Sequence, residues 1–179
     1  MAAPTNVSYA LLDAAVIGGR ADEPVVAGTT HARLLEEVAA LGGVLHHLGV
    51  GPGVPVVVAP ADDQDAVVAA LAVARLGGVV HATDIPDAPV LIASLGSPLL
   101  DVVPPEGRHR LVRGPGVVEP DLDWGVMLRA GRTDPAGCAV LEPGSAYAPD
   151  RTVGDLLADL GGAGGAPYDV AGLRRLLRV

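Results

Sequence analysis

The segment 38–61 contains no Asp, Glu, Lys or Arg, which restricts the fold more than any other feature of this chain. It is long enough to cross a membrane as a helix, but glycine and proline interrupt it and His46 and His47 lie inside it. We therefore predict a helix, a turn and a buried strand here. The interrupting residues are Gly42, Gly43, Gly49, Gly51, Pro52, Gly53 and Pro55.

Two helices flank the apolar centre of this region. Apolar residues recur at three- and four-residue steps from about His31 to Leu48, which is typical of an amphipathic helix. A second helix is expected over Ala66–Leu76. Its start is marked by acidic residues that complement the helix dipole, and these are Asp62, Asp63 and Asp65.

Short apolar runs rich in β-branched residues alternate with the helices. Val54–Ala59 is continuous and uncharged, as expected of a strand covered on both faces. Val79–Val80 and Val90–Ala93 predict further strands, so the order is strand, helix, strand. The sequence therefore predicts an α/β fold, with a small doubly wound, largely parallel sheet and flanking helices.

The last third of the chain changes in composition. From Val102 onward proline and glycine become frequent, so we expect loops around short strands and a short helix over Trp124–Ala130. We predict one α/β domain over residues 1–150 and a divergent tail over 151–179. Within the tail, the glycine-rich segment Gly161–Pro167 has the composition of a flexible linker between short helices.

Charge and cysteine content exclude several classes of function. The formal net charge is −9 and the pI is near 4.8, which opposes binding to nucleic acid or to an anionic membrane, so neither partner is expected. The single cysteine, Cys138, excludes an intramolecular disulfide and a cysteine-rich metal framework, and we expect no metal. Because the N-terminus also lacks the pattern of a signal peptide, we expect a cytoplasmic protein.

Several short motifs occur in a characteristic order along residues 6–100. They are Asn6–Asp13, Gly18–Val25, Thr30–Leu35, Leu48–Gly53 and Ala72–His81. Their order and spacing resemble the opening third of acetyl- and propionyl-CoA synthetases, within the adenylate-forming (AMP-binding) superfamily. The resemblance implies the fold of the first part of the N-terminal domain of those enzymes. It also implies an acyl or CoA-like small molecule as a possible ligand.

The departures from that family bear on catalysis. After His81 the family has a loop that helps to bind CoA and then a helix, whereas this chain passes through Ala82–Pro86 directly to Asp87. In place of the family's phosphate loop it has Glu142–Arg151. All 12 basic residues are arginine, which does not replace the compact ammonium of lysine at a reacting acyl phosphate. We predict a truncated synthetase-like protein, with no cofactor and no autonomous adenylation.

Candidate site residues have plain structural interpretations beside the functional ones. His81 ends a strand just before Asp84, at the sheet edge where open α/β folds bind ligands, although single titratable groups are common there. His46 and His47 diverge on one helix and are expected at the surface. A buried, inert thiol is expected for Cys138 and a core anchor for Trp124.

Three functional hypotheses remain open at this point. The first is a catalytically silent protein that binds a partner protein, a second copy of itself, or an acyl or CoA-like ligand. The second is a subunit of a split enzyme, completed in trans by another polypeptide. The third is a small enzyme with a new chemistry at His81 and Asp84. Because a shortened synthetase domain exposes apolar surface that the leucines of the tail cover incompletely, we expect a homo-oligomer or a heterocomplex.

Overall fold

The computed structural model describes residues 4–26, 28–162 and 166–179. A π-helical turn, Tyr9–Asp13, leads into the first of six helices. The helices are α1 (Ala14–Ile17), α2 (His31–His47), α3 (Asp63–Leu76), α4 (Trp124–Gly131), α5 (Val153–Gly162) and α6 (Val170–Leu177). The strands are β1 (Pro24–Val26), β2 (Thr29–Thr30), β3 (Pro55–Ala59), β4 (Val79–His81), β5 (Val90–Ser94), β6 (His109–Arg113), β7 (Leu122–Asp123), β8 (Ala146–Ala148) and β9 (Arg151–Thr152).

Five strands form one parallel sheet in the order β4-β3-β5-β6-β7. The chain therefore places its second sheet strand on one side of β3 and the later strands on the other side, which is a doubly wound order. Two antiparallel pairs, β1–β2 and β8–β9, lie outside this sheet. The predicted fold class is confirmed. No helix among the described residues has the length and apolarity needed to span a membrane.

The two helices predicted from the sequence are both present. α2 begins at His31 as expected, and α3 begins at Asp63 because the Asp62 side chain accepts hydrogen bonds from the backbone N–H groups of Gln64 and Asp65, at 2.9 and 3.1 Å. Gly77, with a φ of 77°, ends α3 in the left-handed conformation that glycine adopts readily. The acidic residues before α3 thus act as a helix start, as the sequence indicated.

The two faces of the sheet are covered differently. One face packs into the main core, which also receives apolar side chains from α2 to α6. The other face carries a small separate cluster, in which Val57, Leu91 and Ala93 are buried beneath the connections before and after β5. Between β4 and β5 the described chain forms no helix. This face is therefore covered by loops and one 3-10 turn, Pro98–Leu100.

The tail packs into the main core. Leu156, Leu173 and Leu177 are almost completely buried there. The Tyr147 hydroxyl donates a 2.9 Å hydrogen bond to the Leu177 carbonyl, so the end of α6 is tied to β8. Arg174 donates to the carbonyls at the carboxyl end of β3, those of residues 60 and 61. The division at residue 150 stays a prediction about folding units, since both parts share one core.

The glycine-rich segment is described only in part. Gly161 and Gly162 belong to the last turn of α5, so the helix extends two residues into the predicted linker. The apolar stripe of α5, which packs into the core through Leu156 and Leu160, accounts for this extension. Residues 163–165 lie outside the described residues, and the expected linker flexibility stays a prediction.

α2 and α4 approach each other closely enough that their backbones are in contact. A Cβ atom added at Gly43 would lie 2.1 Å from the carbonyl oxygen of Asp134, just beyond α4. A Cβ atom added at Gly131, the last residue of α4, would likewise lie 2.1 Å from the carbonyl oxygen of Ala40. Side chains are therefore excluded from both positions, and glycine is required by space and not by backbone conformation.

A buried polar network joins three distant parts of the chain. The Arg75 guanidinium, on α3, forms a bidentate ion pair with Asp13 at 2.8 and 3.0 Å and donates to the Ala136 carbonyl at 2.6 Å. The Asn6 side-chain amide donates to the carbonyls of residues 74, 75 and 139. The N-terminal segment, α3 and the segment after α4 are therefore held by one set of hydrogen bonds.

Replacing Arg75 with methionine should destabilise the protein strongly. The Asp13 carboxylate would then be left largely buried without its partner, and we expect the free energy of unfolding to fall by about 3–5 kcal/mol. Urea denaturation followed by circular dichroism measures this change.

The matched control is Arg132→Gln, which removes an exposed pair with Glu36 at 2.9 Å and should cost no more than about 1 kcal/mol. Equal losses in the two variants would show that the Arg75 network does not hold the fold together.

Candidate functional site

His81 and Asp84, the candidates from the sequence, lie near the carboxyl end of β4. His81 is half-buried at the end of this edge strand. Asp84 accepts a 2.7 Å hydrogen bond from Arg108, whose almost fully buried side chain also donates to the Ala88 and Ile85 carbonyls. Within the described ranges, no hydrogen bond joins His81 to Asp84. Asp84 thus balances a buried guanidinium, and a joint catalytic role with His81 stays a prediction.

The other singled-out residues take structural positions. His46 and His47 are exposed, as expected. The Cys138 thiol donates to Asp13 at 3.6 Å, and burial, with the nearby Asp13 adding to the effect and Arg75 opposing it, raises the pKa of Cys138 to about 12. This thiol is therefore protonated at neutral pH and weakly nucleophilic. Trp124 is buried in the main core, as predicted. Across residues 4–26, 28–162 and 166–179, no cluster of three His, Cys, Asp or Glu side chains could hold a metal ion.

The segment in the position of the phosphate loop forms the β8–β9 hairpin and the turn before it. Ser145 donates its backbone N–H to the Glu142 carbonyl at 2.9 Å, and its hydroxyl accepts from the Glu142 N–H at 3.2 Å. The N–H groups of Val153 and Gly154 donate at 2.8 Å to the carbonyls of residues 145 and 143. These donors are therefore engaged within the protein and do not form a row of free N–H groups around a phosphate.

Two buried side chains fix this hairpin. Tyr147 is 1% exposed and bonds to α6 through its hydroxyl. Arg151 is also buried, donates to the Leu176 carbonyl and forms an ion pair with Asp159. A change to an open phosphate loop would break both contacts and expose the tyrosine ring.

One cleft lies at the opposite edge of the sheet from the strand carboxyl ends. It has a volume of about 620 Å³ and lies near the carboxyl ends of α2 and α3. Glycine, alanine and proline form most of its wall, and the ionisable side chains there are those of His46 and Asp134. It therefore offers few directional groups for recognising a ligand, despite its size.

A second cavity, of about 400 Å³, lies at the carboxyl edge of the sheet, and we call it the edge pocket. Open α/β sheets bind ligands at this edge. Side chains from α2, the start of α3, the end of β6 and α4 surround the pocket. They are Arg33, Glu37, Asp62, Gln64, Asp65, Arg113, Trp124 and Leu128.

The topology explains why these residues meet. Parallel strands present their carboxyl ends at one edge, so the start of α3 after β3, Arg113 at the end of β6 and Trp124 after β7 converge there. The Asp123 side chain caps α4 by accepting from the Val126 N–H at 2.7 Å, which fixes Trp124 in the first turn. Arg33 and Arg113 were not predicted from the sequence as site residues. The sequence feature that could have identified Arg113 as a site residue is its position at the end of a strand.

The charges in the edge pocket are only partly paired with one another. Arg113 donates through Nε to Asp65 at 3.0 Å, and its guanidinium carbon lies 6.0 Å from the centre of the Trp124 ring, within range of a cation–π interaction. Arg33 Nε is 3.7 Å from the Glu37 carboxylate. In the described part of the chain, the terminal nitrogens of both arginines form no hydrogen bond. The pocket thus keeps several donors for a ligand.

Burial raises the pKa of Asp65, and the Asp62 charge adds slightly to this effect. The charge and hydrogen bond of Arg113 act in the opposite direction. None of the side chains that line the edge pocket belongs to Ser, Thr, Cys, Lys or His. The arrangement is therefore equipped to recognise a charged ligand, and it offers no hydroxyl, thiol, amine or imidazole nucleophile.

Comparison with solved structures relates the fold to CoA ligases. The anthranilate CoA ligase AuaEII, in complex with anthranoyl-AMP, matches with a TM-score of 0.65 and 19% identity, over 83% of this chain and 32% of that one. A benzoate CoA ligase from Burkholderia xenovorans LB400 gives 0.66 and 18%, over 87% and 36%. A Brucella canis acyl-CoA synthetase gives 0.59 and 18%, over 80% and 30%.

These matches confirm the predicted relation at the level of the fold. The chain has the fold of the N-terminal part of acyl-CoA ligases and spans about a third of the length of each of these three proteins. No protein-family model matches the sequence, and no curated protein sequence matches it.

The replacement Arg113→Gln should raise the pKa of Asp65 further. It removes the charge and the hydrogen bond that lower this pKa, while the burial of the carboxyl group remains. Carboxyl-carbon NMR titration of Asp65 measures the effect.

The free energy of unfolding should depend on pH in the direction that the raised pKa of Asp65 sets. Because the pKa of Asp65 is higher in the folded state, its stabilising contribution is full below the pKa of the unfolded chain and is lost as pH rises through the folded value. Arg129→Gln, on the exposed side of α4, is the control and should leave the titration unchanged. An unchanged or lower pKa in Arg113→Gln would contradict the assigned cause.

Proposed function

We propose that this chain uses an acyl-CoA-ligase-type fold to bind a ligand or a partner and does not by itself activate carboxylates. The observation that carries the proposal is the closed hairpin in the position of the phosphate loop. Adenylate-forming chemistry needs donors free to hold the phosphates, whereas the N–H groups of Ser145, Val153 and Gly154 are bonded to nearby carbonyls.

The charge of the hairpin and the composition of the chain support the same proposal. Glu142 carries a negative charge beside the loop, which opposes a polyphosphate, whereas the Asp150 carboxylate is paired with Arg178. These 179 residues also contain no lysine that could act at a reacting acyl phosphate. The edge pocket, which has charged donors and acceptors but no hydroxyl, thiol, amine or imidazole nucleophile, is where we place the binding function.

A second candidate function is a subunit of a split enzyme, completed in trans. This chain covers 30–36% of the three ligases described above, so most of each ligase has no counterpart in it. A second polypeptide that supplies a phosphate loop and a lysine would then restore catalysis.

Oligomerisation is part of the proposal. The connections around β5, β6 and β7 expose apolar side chains, and the most exposed are Leu95, Val102, Val103 and Val118. Exposed apolar groups of this kind favour association with another chain. We expect a dimer or larger species by light scattering after gel filtration at micromolar concentration. A monomer with a mass of 17.9 kDa at all concentrations would contradict self-association.

The purified chain should not catalyse ATP–pyrophosphate exchange with acetate or propionate. We expect exchange equal to that of a heat-denatured sample, because the phosphate cradle and the lysine are missing. A purified acetyl-CoA synthetase serves as the positive control. Exchange that scales with the concentration of this chain would refute the proposal.

The same assay tests the second candidate function. Co-expression with a ligase-like polypeptide encoded beside this chain should restore exchange if the two form one enzyme, and the single chains should remain inactive.

A further inference from the structure

We propose that the edge pocket binds a small zwitterion of amino-acid size, with its carboxylate on Arg33 and Arg113 and its ammonium group on Asp62 and Glu37. The inference rests on the proposed binding role and is independent of the loss of adenylation. It follows from which charged atoms in the pocket are already engaged and which are not.

The two arginines provide the site for the carboxylate. Arg113 donates through Nε to Asp65, and its guanidinium carbon lies 6.0 Å from the centre of the Trp124 ring. The side chain of Arg33 is 71% exposed and its one ionic contact is the 3.7 Å approach to Glu37. Guanidinium groups with open terminal nitrogens bind planar carboxylates through paired hydrogen bonds.

Two carboxylates provide the site for the ammonium group. Asp62 uses Oδ1 for the two N–H groups at the start of α3, and Oδ2 has no donor within the described residues. Glu37, which is 19% exposed, faces the pocket and is paired only loosely with Arg33. Asp65 contributes less, because its Oδ2 is bonded to Arg113. The acceptors left open are thus on Asp62 and Glu37.

The balance of charge selects a zwitterion over simpler ions. Two arginines and three carboxylates line the pocket, so its formal charge is −1 when all are ionised. A phosphate dianion would face three carboxylates, and a simple cation would face two guanidinium groups. A zwitterion pairs with both signs and leaves the net charge of the pocket unchanged.

The shape of the pocket sets the size of the ligand. A volume of about 400 Å³ is at the lower end of the range for small-molecule sites. Leu128 offers an apolar wall beside the charged groups. An amino acid with a short apolar side chain fits this combination, and leucine is our probe.

Three matched compounds test the inference by isothermal titration calorimetry. Leucine carries both charges, 3-methylbutylamine is leucine without the carboxylate, and 4-methylpentanoate is leucine without the amine. We expect leucine to bind at least about tenfold more tightly than either of the other two. Trp124 is the only tryptophan, so its single indole N–H signal in an NMR spectrum should shift with leucine and locate the binding at the edge pocket.

Two variants separate the contributions of the two charges. Arg33→Gln and Asp62→Asn should each weaken leucine binding about tenfold, the first by loss of the carboxylate partner and the second by loss of the ammonium partner. Asparagine preserves the helix cap, so Asp62→Asn should remain folded. Arg129→Gln, an exposed arginine of α4 that does not line the pocket, is the control and should bind leucine as the unchanged protein does.

Three results would overturn the inference. The first is the absence of saturable leucine binding at concentrations up to about 10 mM. The second is equal affinity for leucine and for either singly charged compound. The third is unchanged leucine affinity in both Arg33→Gln and Asp62→Asn. None of these measurements depends on pyrophosphate exchange, so failure here and failure of the proposed function can be told apart.

Discussion

The ion pair between Arg75 and Asp13 is the contact on which the arrangement of the other elements depends. A buried guanidinium is tolerated only with its charge balanced and its N–H groups bonded, and here the partners come from the N-terminal segment and from the chain after α4. Asn6 completes the same network. Residues that carry the resemblance to synthetases are thus brought together in space. At these positions the residues that carry the resemblance hold the fold together.

The connection between β4 and β5 decides which face of the sheet can serve a ligand. Because this connection is short and forms no helix, its loop lies on the sheet and is held by Arg108, with Asp84 as counter-charge. The polar groups there are occupied by the protein itself. On the helical face, by contrast, Arg33 and Arg113 keep terminal nitrogens with no described acceptor. The candidate site therefore lies beside the face of the sheet that α2, α3 and α4 cover.

The sequence predicts the parts of the fold that local patterns determine. Apolar periodicity identifies α2, acidic residues at a helix start identify α3, and apolar runs rich in β-branched residues identify β3 and β5, since each of these signals lies within a few residues. The edge pocket could not be read in this way, because Arg33 and Arg113 meet only through the strand order. His81 and Asp84 illustrate the converse, since proximity in sequence gave them no shared hydrogen bond.

The glycines where α2 and α4 meet have a consequence far from their own position. Backbone contact at Gly43 and Gly131 restricts movement of the two helices against each other. Their separation is set by backbone atoms, which cannot change rotamer. α2 carries Arg33 and Glu37 near its other end, and α4 carries Leu128. The backbone contact thus fixes the distance between α2 and α4 at the mouth of the edge pocket. A ligand would bind to a preorganised pocket, and little of its binding free energy would be lost to reorganising the side chains that line it.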